Sequence, residues 1–568
     1  MAWLKRGTES TIKDVFLRNI GACSLDDVNE WFKNSYANKY SIKGIDEAVE
    51  LAKTFKDKQV TICGDYDSDG VTATTILLLS LRWAGFKNVT YRIPKRFSEG
   101  FGINKTMVDE IESGLIITCD NGVAQPEVIN YAKEKGLTVI VTDHHQPMVV
   151  DGNDILPNAD IIIDPNALDG QAVFNGYCGA GIAYKFACKM LDYNKTFCQK
   201  LLGLCAIGTV ADVMELKEEN YVFVRNGLKT LLMSTLCTSG LYALTCAFEL
   251  NKHITAHDIG FKLGPAINAS SRMKDDGAMD AVKLLSFDGP YPEAVAMAES
   301  FVAVNEQRKA AKIDALAIAN KVIEDECLYG DIPMVLKVPG ISEGVVGIIA
   351  GSLCEEYKVP VIVVTDSEDG SLKGSARSCG NYDIKAELDK CSDLLLRHGG
   401  HSGAAGLSLI EDNLYLLRET LINNVISFSC DSPEDIYYDL EINASEIPSM
   451  LEELKKYEPF GEGNPSPVFK VNNFSVVPRY GVYKKLIGSD LSIVKIYSKN
   501  TTAIGFDMAV KMRSISEPKC LNLIGTLSDN YFGGEVEHQI EFSDFANVEG
   551  DRLETPLAAK LRMMASAK

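Results

Sequence analysis

The sequence predicts an α/β protein: a parallel-sheet domain, a long connector helix, a second α/β domain and a small β-barrel. Three observations carry this. Apolar β-branched runs alternate with helical stretches from about residue 56 to residue 165. The segment from Pro292 to Leu328 contains no glycine and no further proline, and the chain beyond Pro467 breaks into short alternating runs between turns. Continuous apolar strands separated by helices build parallel sheets covered on both faces.

In chain order, residues 1–55 form a helical N-terminal extension, with Ile45 to Phe55 its clearest helix. Residues 56–290 form the first α/β domain. Its strands are Val60 to Cys63, Leu115 to Thr118, Thr138 to Val141 and Ile161 to Ile163, with an apolar helix from about Val71 to Ala84. Residues 291–328 form the connector, with Pro292 in its first turn and Gly330 at its exit. At 1.5 Å per residue such a rod is about 50 Å long. Residues 329–458 form the second α/β domain, with strands at Pro333 to Val338 and Val359 to Thr365. Pro459 to Pro467 reads as a rigid turn. Residues 459–550 form the small barrel, and 551–568 a C-terminal tail.

A content of 46% hydrophobic and 24% charged residues excludes collagen, coiled-coil fibre and bulk disorder. The run Ile76 to Leu79 is far too short to span a bilayer, and MAWLKRGTESTIKD lacks the apolar stretch of a secretory signal. A cytoplasmic protein with no membrane association is expected. The fifteen cysteines include no CxxC pair, so they read as reduced small hydrophobes and not as zinc ligands. The net charge is −21, so any binder of a polyanion must confine positive potential to patches. Residues 411–460 hold twelve acidic residues against three basic ones, whereas 470–520 hold nine basic against three acidic. The basic island coincides with the barrel.

The chemistry concentrates at strand ends. Asp65, Asp67 and Asp69 follow the first strand within GDYDSDG. Asp120 ends the second, Asp143-His144-His145 the third, and Asp164 the fourth. In a parallel sheet these ends share one edge, where open α/β sheets bind ligands. Carboxylates so crowded need solvent or cations, and oxygen-rich donors with one or two histidines suit Mn²⁺ or Mg²⁺ better than zinc. Two such ions about 4 Å apart activate a water and clamp a phosphate. Asp212, in GTVAD, is placed to complete the set. A second site is read in His398 to Gly406, whose glycines let backbone N–H groups approach an anion. Upstream, Ser375 and Arg377 in GSARS suit a phosphate.

DYDSDG, CDNG, DHH and GTVAD resemble the four motifs of the DHH phosphoesterases, and GGHSGAAG with GSARS resembles the DHH-associated domain. PFGEGNPSPVF followed by a basic barrel is similar to the RecJ branch of that family. The resemblance spans about residues 55–550. It implies a 5′ to 3′ exonuclease on single-stranded DNA, acting in DNA repair and recombination, with an OB-fold as the barrel. It further implies Asp67, Asp69, Asp120, His144 and Asp212 as metal ligands, with Asp65 in the same loop and His145 and His401 acting on the scissile phosphate. Arg96, Arg272, Ser375, Arg377, Gly399 and Gly400 fall to substrate phosphate, and Lys484, Lys485, Lys495 and Lys499 to the nucleic-acid strand. A single-strand-binding protein or a helicase is the expected protein partner of a monomeric enzyme.

The chain departs from the family at several places. Cys63 stands where many relatives have histidine, Ala266 where arginine is usual, Ser270-Ser271 for Ala-Gly, Ile341-Ser342 for Trp-His, and Ser352 for a basic residue. Restoring the charge with Ala266→Arg is accordingly expected to tighten binding. Two other readings stand beside the exonuclease. One is a nanoRNase or 3′-phosphoadenosine phosphate phosphatase, which would not need the basic barrel. The other is a single-strand-binding scaffold, which would not need every carboxylate.

Overall fold

The computed structural model describes residues 2–548 except 37, 151–152, 168–171, 368, 431–434, 480, 489–490, 514, 516–517 and 533–534. The expected tail at 551–568 lies outside the described residues, as does Tyr480. The chain divides into two compact units, one drawn from residues 38–214 and 226–432, the other from 1–37, 215–225 and 433–568.

In the larger unit, β1 (Gln59–Cys63), β2 (Asn88–Arg92), β3 (Leu115–Cys119), β4 (Thr138–Thr142) and β5 (Ile161–Ile163) form an all-parallel sheet in the order β2-β1-β3-β4-β5. The chain runs outward from β1 to β2, then returns to β1's other side for β3. The strand order therefore reverses beside β1, opening a crevice at the carboxyl ends of β1 and β3. Helix α1 (Ser68–Trp83) is buried along nearly its whole length, its apolar side chains accompanied by Thr72, Thr74, Thr75 and Ser80, whose hydroxyls donate to carbonyls of the helix itself. It packs against α2 (Gly179–Met190) and α3 (Lys195–Ala211). Strand β2 was not expected. NVTYR is partly exposed on an edge and carries no apolar run to mark it.

After α4 (Gly264–Met273), the connector α5 runs from Tyr291 to Asp325, a single helix of 35 residues. Ala294, Ala298 and Phe301 are buried on its first half, which packs on α4 and the helix Ser239–Ala247. Ala315, Ala319 and Ile323 join the core formed by β6 (Met334–Lys337) and α6 (Glu343–Tyr357). A second sheet follows, with β7 (Val361–Asp366), β8 (Leu372–Arg377), β9 (Arg397–His401) and β10 (Ala404–Leu409) in the order β9-β10-β8-β7-β6. Only β6 and β7 are parallel. The glycine-rich segment is thus an edge hairpin and not a loop after a helix, because Gly399 and Gly400 pair with Gly406 and Ala405 in β10.

In the second unit, β11 (Leu440–Asn443), β12 (Val468–Ser475), β13 (Lys484–Ile487), β14 (Ile493–Tyr497), β15 (Thr501–Gly505), β16 (Cys520–Phe532) and β17 (Glu535–Asn547) form one sheet, ordered β11-β12-β16-β17-β15-β14-β13. Register shifts between Val471 and Phe474 and between Ile524 and Gly525 bend it around Phe469, Phe474, Leu521, Ile540 and Phe542. Helices Ile12–Ile20 and Leu25–Tyr36 pack on this same core. The segment Trp3–Lys5 pairs in parallel with Ile436–Tyr438, and Asp439, fully buried, accepts from Arg18 at 2.6 Å and Arg6 at 3.2 Å.

Candidate metal centre and substrate cleft

The acidic residues converge at the crevice beside β1, and each is oriented by the backbone. Asp67 is the N-cap of α1 and accepts from the Gly70 N–H at 3.0 Å. Asp69, buried in the first turn, accepts from the first N–H groups of α2, Gly179 at 2.6 Å and Ala180 at 2.8 Å, so a helix N-terminus steadies its charge. Asp65 accepts from Gly102 N–H at 3.2 Å. Asp120 adopts φ +62°, a left-handed conformation that Asp tolerates better than most residues. Asp212 closes α3 as its C-cap. Small residues make the approach possible. A Cβ on Gly179 would lie 2.6 Å from Asp120 Cβ, and one on Gly208 would lie 2.6 Å from Asp69 Oδ1.

His144 Nε2 lies 3.0 Å from Asp120 Oδ1, 3.7 Å from Asp212 Oδ2 and 3.9 Å from Asp69 Oδ2. Three overlapping sets bring their donor atoms within 4.8 Å of one another: Asp69, His144 and Asp212; Asp120, His144 and His145; and Asp65, Asp67 and Asp120. Burial, then mutual repulsion, pushes Asp65 and Asp212 each up to about 8 and Asp120 well above the carboxylate range. Asp120 Oδ1 is buried without a hydrogen-bond donor. A buried oxygen that receives no hydrogen bond, with only the His144 imidazole nitrogen beside it, amid carboxylates with raised pKa values is a site short of positive charge. The oxygen and imidazole donors fit Mn²⁺ or Mg²⁺.

His145 Nδ1 lies 2.7 Å from Asp143 Oδ1. Burial lowers the affinity of this imidazole for its proton, but the Asp143 hydrogen bond together with the charges of Asp143, Asp212 and Asp65 outweighs it and raises the pKa to about 9. Asp143 is buried and receives the Val123, His144 and His145 N–H groups as well. The sequence marked Asp143 as a strand-end residue without giving it a role. Its place beside two histidines was the available signal.

A cavity of about 480 Å³ adjoins the centre, lined among others by Tyr66, Arg96, Phe101, Ser375, Arg397 and Gly399. The Arg96 guanidinium lies over the Tyr66 ring at 4.4 Å. Arg272 donates to the Gly344 carbonyl at 3.2 Å, and Arg377 to Ser375 Oγ at 2.9 Å. Burial, followed by repulsion from Arg96, Arg308 and Arg377, lowers the Arg272 pKa. Asp67 offsets this repulsion only in part, and a phosphate would supply further counter-charge. Arg308, on α5, was missed because nothing in a helical sequence marks the charges it faces across the fold.

Other sequence readings fare differently. His401 is exposed at the end of β9, and Gly400, also exposed, stands at φ +141°, where a Cβ would meet Ala404 O at 2.4 Å. Ala266 is fully buried in α4. An arginine at position 266 would therefore have to displace the packing around this buried position before its guanidinium could reach a phosphate. Cys63 is buried and its thiol is pushed up to about 12, leaving an inert small hydrophobe where a ligand was absent.

In the barrel, Lys484 donates to the carbonyls of Met512 and Ile515, so its ammonium serves the fold. Lys495 is paired with Glu537 at 3.2 Å, Lys470 with Glu441 at 3.0 Å, and Lys511 with Asp544. Lys485 and Lys499 are exposed. The basic island is thus partly neutralised, because the fold sets carboxylates from other segments of the sequence beside these lysines.

The chain matches models of the DHH family N-terminal domain over residues 59–209, the DHHA1 domain over 331–427 and the RecJ OB domain over 438–544. It is 32% identical over 458 residues to the single-stranded-DNA-specific exonuclease RecJ of Salmonella typhimurium, covering 75% of this chain and 78% of that one. It is 31% identical over 529 residues to the protein of that name from Bacillus subtilis, covering 90% and 64%. Among solved structures, RecJ of Thermus thermophilus in complex with Mn²⁺ superposes with a TM-score of 0.73 at 25% identity, covering 97% of this chain and 80% of that one.

Proposed function

The chain belongs to the RecJ family of single-stranded-DNA-specific exonucleases, and from that premise we propose how its residues divide the work of cutting a strand from its 5′ end. It is a phosphodiester hydrolase, and relatives carry Mn²⁺ or Mg²⁺. The observation that carries the assignment of roles is the cluster of carboxylates around His144, with Asp120 Oδ1 buried and receiving no hydrogen bond. Asp67, Asp69, Asp120, His144 and Asp212 hold the cations, with Asp65 supporting the same pocket. Divalent cations bound there supply Lewis-acid stabilisation of phosphoryl oxygens and acidify water. His145, with its proton held at Nδ1 by Asp143, turns its other nitrogen toward the phosphate and offsets the charge that develops there. Arg96, Ser375 and the backbone of Gly399, which line the cavity, grip phosphate together with Arg272, Arg377 and Gly400.

The match of residues 438–544 to the RecJ OB domain and the complete set of carboxylates favour this reading over a short-oligonucleotide phosphatase or a spent scaffold. No helix among the described residues is long and apolar enough to cross a membrane. We extend the reading to action as a monomer on strands delivered by a helicase or held by a single-strand-binding protein, since a centre for unpaired strand works only where duplex has been opened. The test is digestion of 5′- and 3′-labelled single strands with Mn²⁺, Mg²⁺ or chelator. Release of the 5′ label first, with activity lost in chelator and in Asp67→Ala, Asp120→Ala and His144→Ala, is the expected result. Full activity of the stripped enzyme would refute the assignment.

A further inference from the structure

Cations around the cleft differ in what already occupies them. Lys373 donates to the Phe97 carbonyl at 3.4 Å and pairs with Glu343 at 3.2 Å. Arg377 is held by Ser375 Oγ and the Ala376 carbonyl, Arg272 by the Gly344 carbonyl, and Arg96 lies over Tyr66. Arg397 also lines the cavity, is exposed, and has no hydrogen-bond or ion-pair partner among the described residues. It begins β9, the edge strand, and belongs to no motif singled out in the sequence.

Position makes this freedom useful. Residues i and i+2 of a strand share a face, about 6–7 Å apart. Arg397 is therefore one such step from Gly399, whose backbone lines the same cavity. β9 is paired only to β10, which leaves its outer edge open to a ligand. Its neighbour His398 is committed to Asp389 at 2.8 Å, so the guanidinium is the uncommitted charge of this strand. Resting on the reading above, we propose that Arg397 binds a second phosphate of the substrate strand, one nucleotide away from the phosphate held at Gly399. The second contact fixes which linkage lies over the acidic centre. Arg397 is then a specificity residue: it makes a strand bearing consecutive phosphates a better substrate than an isolated phosphodiester.

The experiment compares wild type with Arg397→Ala and Arg397→Lys on a 5′-labelled ten-nucleotide strand with Mn²⁺ across a salt series. Arg397→Ala is expected to raise KM about tenfold with kcat within about twofold, and to flatten the salt dependence by about one phosphate contact. Arg397→Lys is expected to restore part of the loss. A scan placing one neutral methylphosphonate linkage along the strand then identifies the phosphate. At the matching position wild type should fall to the level of Arg397→Ala, and the two should be equal. Identical scans for both proteins, or wild-type KM in Arg397→Ala, would overturn the proposal while leaving the metal-dependent activity of wild type intact. If wild type itself failed to cut single strands, the underlying reading would fail instead.

Discussion

Gly179→Ala tests the architecture of the metal centre without touching a proposed ligand. Gly179 opens α2, and its N–H is bonded to Asp69. The added Cβ would stand 2.6 Å from Asp120 Cβ and 2.9 Å from its Cγ and Oδ1, where ordinary contact begins at 3.4 Å. Asp120 must therefore retreat by about 1 Å, and a misplacement of that size costs about 100-fold in rate. Overpacking costs about 1–3 kcal/mol, and replacing a helical glycine by alanine offsets about 0.5–1 of it. The protein should stay folded. Calorimetric Mn²⁺ titration of chelator-stripped protein should show about 10–100-fold weaker binding, in parallel with the fall in kcat/KM. Gly203→Ala is the control, since its nearest neighbour would be the Leu231 Cδ2 tip at 2.9 Å, the end of a flexible side chain. A folded Gly179→Ala variant that binds Mn²⁺ and cuts DNA like wild type would refute the claim that this glycine sets the position of Asp120.

Three further predictions concern linkage and the barrel. Asp65 and Asp212 are pushed up to about 8 in the folded chain, so between the ordinary carboxyl value and 8 the folded state holds protons that the unfolded chain has released. Stability of the cation-free protein should then fall as pH rises through that interval, and Mn²⁺ affinity should rise. Melting curves from pH 5 to 8.5 in chelator and in Mn²⁺ check this, and a stripped protein that gains stability toward pH 8 contradicts it. Lys484→Ala should cost about 1–3 kcal/mol of barrel stability by leaving two carbonyls without a donor. Lys485→Ala with Lys499→Ala should spare the melting temperature but flatten the salt dependence of binding by about 0.7 per lost phosphate contact, as measured on long single strands.

Local pattern determined much of this molecule. β-branched runs marked four of the five strands of the first sheet, because strands buried on both faces read as continuous apolar segments. A parallel sheet then obliged their terminal carboxylates to meet at one edge, so the acidic centre was legible before any coordinates. The 35-residue helix was legible from the absence of glycine and proline within it. What stayed hidden depends on pairing between distant segments. β2 is a partly exposed edge strand, and only its alignment along β1 makes it one. Gly399 and Gly400 became an edge strand because β10 pairs with them. Residues 1–55 read as a helical N-terminal extension, and nothing in that reading told that Phe16 is buried in one core with the C-terminal barrel. The basic island lost much of its charge because sheet register set Glu441 beside Lys470, and the fold brought Glu537 and Asp544 to Lys495 and Lys511. Periodicity is a property of neighbours along the chain, whereas register, the partner of each charge and the room left by a glycine such as Gly179 are set between residues far apart in sequence. Only the tertiary structure could decide them.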